Sequence, residues 1–165
     1  MTIIKSLFAV LFLVSAAFGI RGQSVEQAVA AAGLEVTTRL PAAPVTYLPE
    51  KHVRQAFVKG MPLLEVANYK VHASHRKEPG LVEIHTRDTD IIYMLEGSAT
   101  LVTGGTLIDP RTTEPEEIRA SESRGGDSRM INKGDVIIIP NGTAHWFKEV
   151  KGPINYYVVK VRSAN

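Results

Sequence analysis

Apolar positions follow a helical spacing in the first third of the chain and an alternating one after it. Ser24-Val25-Glu26-Gln27 has the form of a capping box, with Val25, Ala28, Val29 and Ala32 at helical intervals and Gly33 to stop the turn. Beyond a connector holding Pro41 and Pro44, the stretch from Pro49 to Val58 puts Val53, Ala56 and Phe57 on one face and ends at Gly60, which predicts a second helix. Residues 23–62 therefore read as a short helical arm packed on something larger.

From Leu63 onward the period is two. Tyr69, Val71 and Ala73 alternate with Lys70, His72 and Ser74, and Pro79-Gly80 turns the chain into a strand from Leu81 to Thr86. Asp90 to Thr103 is a long β-rich run closed by Gly104-Gly105, and Asp135 to Ile139 is a strand closed by Pro140-Asn141-Gly142. In the last run, Asn155 to Arg162, Tyr157, Val159 and Val161 alternate with Tyr156, Val158 and Lys160. At least five strands with no amphipathic helix between them predict an all-β antiparallel sandwich or barrel over residues 63–165. The polar stretch from Asp109 to Arg129, where acidic and basic side chains interleave, reads as a solvated excursion with one edge strand.

Composition narrows the chemistry. There is no cysteine, so thiolate zinc sites, iron–sulfur clusters, disulfide scaffolds and cysteine nucleophiles are excluded, and any metal must sit on histidine, carboxylate or water. Met1 to Lys5 carries one positive charge and Ser6 to Ile20 is almost wholly apolar, followed by small residues. This is the pattern of a secretory signal peptide over residues 1–22, and it predicts an exported, periplasmic or secreted protein with no membrane association after cleavage. Removing Lys5 and Arg21 of that segment from the 19 basic residues leaves 17 against 17 acidic ones. A neutral remainder argues against a nucleic-acid partner.

Three pieces of sequence hold the candidate ligands. Glu83 and His85 are two apart on a strand, so they share a face with Cα atoms about 6.5–7 Å apart and can converge on one ion. Asp90 follows a short loop and shares its face with Ile92 and Met94, from which it can return to the same ion. His145, three residues past Gly142, would supply a nitrogen from a distant strand. The alternative reading pairs Glu83 and Asp90 with Arg76 or Arg87 and leaves the histidines as hydrogen-bonded core residues.

These residues resemble the two motifs of the cupin superfamily. Glu83-x-His85-x4-Asp90-x6-Gly97 is similar to the first motif, with Glu83 where the family has its first histidine and Asp90 where it has glutamate. Gly134-x5-Pro140-x-Gly142-x2-His145-x3-Glu149 is similar to the second, with Glu149 where asparagine is common. The resemblance covers about Leu63 to Val161. It implies a jelly-roll barrel of six to eight strands and one divalent metal ion held by Glu83, His85, Asp90 and His145. Two carboxylates and two imidazoles suit Mn, Fe, Ni or Zn better than Cu, and Asp90, one methylene short, would reach the ion through water.

Other residues admit two readings each. His75, in line with Tyr69, Val71 and Ala73 on the face read as inward, would serve as a catalytic acid or base or stand in for the missing histidine; otherwise it caps a strand end. Tyr157 would line the barrel and orient a substrate, or simply pack. Trp146 points away from His145 and covers the outside of the sheet or a subunit contact, and His52 is expected to be exposed. Phosphate-binding Gly-rich loops and Gly-x-Ser-x-Gly are absent, which disfavours nucleotide hydrolysis and serine-hydrolase chemistry. Two functions follow as expectations: a metalloenzyme acting on a small oxygen-bearing molecule, of dioxygenase, isomerase or lyase type, or a non-catalytic barrel that binds a small ligand or the metal itself. Exposed β edges predict a homodimer in either case.

Overall fold

The computed structural model describes residues 44–164. The signal peptide and the helix expected over Ser24 to Gly33 lie outside the described residues. The second helix is present as α1 (Glu50–Lys59), with Pro49 fixed at φ −60° before it, Glu50 in its first turn and Lys59 in its last. Gly60 ends it at φ 70°, its N–H donating to Ala56 O at 3.0 Å. Val53, Ala56 and Phe57 form the inner face as the spacing predicts, with Ala56 buried.

Eleven strands follow: β1 (Met61–Glu65), β2 (Tyr69–Arg76), β3 (Val82–His85), β4 (Asp88–Thr103), β5 (Thr106–Ile108), β6 (Arg111–Glu114), β7 (Glu117–Ala120), β8 (Glu122–Arg124), β9 (Asp127–Asn132), β10 (Val136–Ile139) and β11 (His145–Arg162). All pairings are antiparallel. One sheet runs β1-β2-β11-β3-β7-β6, while β4 pairs with β11 along most of its length and with β10 and β9 on its other side; β5 and β8 form a separate ribbon. The curled antiparallel sheet is a jelly-roll barrel.

One strand is much longer than the alternation suggests. β11 starts at His145 rather than Asn155, its two halves joined through register shifts between Phe147 and Asn155. The shift is made where Gly97 on β4, at φ +76°, meets β11; a Cβ at Gly97 would stand 2.7 Å from Pro153 O and from Ile154 Cγ2. Only glycine allows that approach. The polar excursion is also more ordered than expected. It contains β6, β7, β8 and the start of β9, and β7 joins the main sheet beside β3. Charge alternation there marks a sheet with solvent on one side, not a loop.

Register decides which face of each strand is inside. Tyr156 and Val158 of β11 lie opposite Met94 and Ile92 of β4, and all four belong to the interior cluster with Leu101, Ile131, Ile139, Phe147 and Ile154. The neighbours Tyr157 and Val159 therefore point out, and so do Ala73 and Val71 opposite them and His75 in line with those. The outward face is covered by α1, where Phe57 meets Tyr157 edge-on with ring centroids 5.0 Å apart. The expectation of an inward Tyr69-Val71-Ala73-His75 face and of Tyr157 lining the barrel is thus reversed. β11 carries apolar residues on both faces, one toward the barrel and one toward the helix, while β2 turns Lys70, His72, Ser74 and Arg76 into the barrel and its apolar side to α1, so alternation alone assigns the faces wrongly. A second cluster, Val82, Ala120 and Ala144 with Ile84, Leu107 and Trp146 against it, fills the opposite side of β3 and β7. Trp146 lies there as expected, donating Nε1–H to Gly80 O at 2.7 Å.

Candidate metal centre

The site lies where β3, β4 and β11 meet, one inward position along from Ile92 on β4 and Phe147 on β11 of the apolar cluster. His85 closes β3, and the turn Pro140-Asn141-Gly142 is docked directly on it. Gly142 N–H donates to His85 O at 2.8 Å, Asn141 Nδ2 to Thr86 O at 3.1 Å, and Asn141 N–H to Thr89 Oγ1 at 3.3 Å. Gly142 adopts φ +77°, so a side chain there would strain the turn. Three residues later the chain enters β11 with His145 opposite Glu83. Local turn chemistry thus delivers the second imidazole to the first.

Glu83, His85 and His145 each offer one ligand atom, and these atoms all lie within 4.8 Å of one another. Glu83 Oε2 is 3.7 Å from His85 Nε2 and 4.0 Å from His145 Nε2, and the two rings are 5.2 Å apart between centroids. Asp90 reaches the same hollow, its Oδ2 3.6 Å from His85 Nε2 and 3.9 Å from His145 Nε2, but outside that mutual group. His85, Asp90 and His145 are buried.

Side chains around the four orient them. His145 donates Nδ1–H to Thr143 O at 3.2 Å, which leaves the Nε2 lone pair directed at the hollow. Glu83 Oε1 is 3.2 Å from Arg119 Nη1 and 4.0 Å from Arg76 Nη2. Asp90 accepts from Lys160 Nζ through both oxygens at 2.8 Å. Glu117 stands 3.8 Å from His85 Nδ1 and holds Arg119. Burial lowers the His85 pKa, and the Lys160 ammonium and His145 lower it further, while Asp90 and Glu83 act in the opposite direction.

His85 Nε2 is buried with no hydrogen-bond partner. An orphaned ring nitrogen costs about 1–3 kcal/mol, and here it faces two carboxylates and a second imidazole lone pair. That arrangement fits a divalent cation, which would satisfy the nitrogen and neutralise the acids. A cavity of about 280 Å³ leads to His85 and Lys160 past Lys70, His72 and Glu117.

Of the six residues that the sequence singles out, the structure brings Glu83, His85, Asp90 and His145 together. His75 and Tyr157 it keeps apart, on the helix-covered face, where His75 Nδ1–H donates to Asn155 Oδ1 at 2.7 Å. Of the pairings in the alternative reading, Arg76 does reach Glu83, at 4.0 Å, but Arg87 pairs with neither acid. Asp90 takes Lys160, Arg119 stands closest to Glu83, and Arg87 goes to Glu116 at 3.5 Å. Lys160, Arg119 and Glu117 are the site residues that sequence reasoning missed. The signal for Lys160 was its place in line with Tyr156 and Val158; for the other two it was the alternation Glu117-Ile118-Arg119 inside the polar stretch.

A family model described as cupin matches residues 43–164, and the chain belongs to that family. Among solved structures, the BH2720 protein of Bacillus halodurans is 16% identical, with 76% of this chain and 86% of that one covered and a TM-score of 0.50. NMB1881 of Neisseria meningitidis is 10% identical over 66% of this chain and 95% of its own, with a TM-score of 0.46. KdgF from Halomonas sp. is 13% identical over 64% and 80%, with a TM-score of 0.44. At these identities the likeness is one of fold. No curated protein matches the chain.

Proposed function

We propose that this cupin is a metalloenzyme that holds one divalent ion on Glu83, His85 and His145 and acts on a small oxygen-bearing molecule admitted through the mouth at Lys70, His72 and Glu117. The observation that carries it is the unpartnered, buried Nε2 of His85, facing Glu83, Asp90 and His145. When bound, an ion of the Mn, Fe, Ni or Zn kind supplies a Lewis acid that polarises a substrate oxygen. The chain's own residues do the rest. Thr143 and Arg119 orient His145 and Glu83, the barrel wall of Ile92, Phe147 and Val158 excludes water below, and Asp90 beside Lys160 offers a carboxylate to take a proton. A buried acid–base pair next to the ion favours isomerase or lyase chemistry over dioxygenation.

Elemental mass spectrometry of the purified protein tests the reading, with His145→Ala in parallel. The expected result is near-stoichiometric metal in the natural chain and its loss in the variant. Metal absent from both after reconstitution would leave a barrel that binds a small ligand without metal chemistry.

A further inference from the structure

The two carboxylates of the centre are not equivalent. Glu83 gives Oε1 to Arg119 and keeps Oε2 turned toward both imidazoles, at 3.7 and 4.0 Å. Asp90 Oδ2 stands as near them, at 3.6 and 3.9 Å, but both Asp90 oxygens already accept from the Lys160 ammonium at 2.8 Å each. This pairing is built into the sheet. Lys160 on β11 lies directly opposite Asp90 on β4, on the inward face in line with Val158 and Ile92. The side chains are 16% and 5% exposed, so solvent screens the pair poorly. An ion that took Asp90 would have to strip it from an ammonium that stays in the barrel and repels the ion.

We infer that Lys160 is a resident counter-cation that keeps Asp90 off the ion, so that the metal is met by three residues, Glu83, His85 and His145, with Asp90–Lys160 as a neutral polar wall beside it. The inference rests on the metal reading above. It makes Lys160 a positioning residue. It also gives the shortened acid a purpose: Asp90 is retained as a carboxylate for substrate while the ion's side toward it is left open.

Removing Lys160 alone deletes a repelling charge and frees an acid, so metal affinity rises. Removing both members leaves the local charge unchanged, so affinity stays. The test is a Co²⁺ titration of the metal-free full chain, read by visible absorption, which reports on the donor atoms. The proteins are the natural chain, Lys160→Met, Asp90→Asn with Lys160→Met, and His145→Ala, each checked for folding by circular dichroism. Lys160→Met is expected to bind at least about tenfold tighter, about 1.4 kcal/mol, with a changed spectrum. The double variant is expected to stay within about threefold of the natural chain and to keep its spectrum. A double variant that loses Co²⁺ as His145→Ala does, or a folded Lys160→Met that binds no tighter, overturns the inference while the metal reading stands. A natural chain that takes no Co²⁺ overturns both. Should Lys160→Met fail to fold, the double variant decides alone.

Discussion

At the scale of single residues, the centre is a set of polar groups kept buried at some cost, each answered by a specific partner. His85 is the exception, and its lowered pKa has a measurable consequence. In the metal-free protein, the unfolded chain takes up the His85 proton near the ordinary value of about 6.5, the folded one only at lower pH. Between those two values the unfolded state binds more protons, so stability is fully present above about pH 6.5 and falls on acidification, by at most about 1.4 kcal/mol per pH unit. Urea denaturation from about pH 7.5 downward should show this slope, and His85→Gln should reduce it. A slope unchanged in the variant would assign the effect to other groups. Glu83, His85 and His145 were legible in the sequence because their spacing and turn chemistry are local. Lys160 and Arg119 were not, because their roles come from strands far away in the chain.

At the scale of elements, the site depends on how β4 and β11 hold register and how the turn before β11 docks on β3. Gly97 permits the register shift by letting the two backbones close to a distance no Cβ tolerates. Gly97→Ala is expected to destabilise the barrel by about 1–3 kcal/mol through its positive φ alone, with the clash against Pro153 O and Ile154 adding to that. Chemical denaturation measures it, and a loss under about 0.5 kcal/mol would show that the strands shift freely. Both motifs that resembled the family thus carry physical requirements of the fold, a glycine at a close approach and a glycine in a tight turn. The stretch 109–129 was harder to read. Its strands have solvent on one side, and their polar composition hides the pairing of β7 with β3 that brings Glu117 and Arg119 to the site.

At the scale of the whole molecule, the barrel uses both sides of its longest strands. The interior takes the apolar cluster and, next to it, the candidate metal centre; the outer face of β2 and β11 takes α1. Phe57→Ala is therefore expected to cost about 1–3 kcal/mol of stability from lost burial and the aromatic contact, yet to leave metal stoichiometry unchanged. Thermal unfolding and metal content on the same sample check it. Metal loss at full stability would connect the arm to the centre.

The sequence by itself determined the period-two alternation, the helix before it, the glycine and proline turns and the spacing that places two imidazoles and a carboxylate around one point. Those are short-range properties, set by side-chain direction along a strand and by backbone conformations few residues adopt. Only the tertiary structure decided which side of each strand is inside, since β11 is apolar on both faces and β2 turns its polar face into the barrel and its apolar one to the helix, a choice nothing local distinguishes. That choice moved His75 and Tyr157 out of the site and Lys160 into it. It also set Asp90 against an ammonium 70 residues away in the chain, because cross-strand register is a property of the assembled sheet.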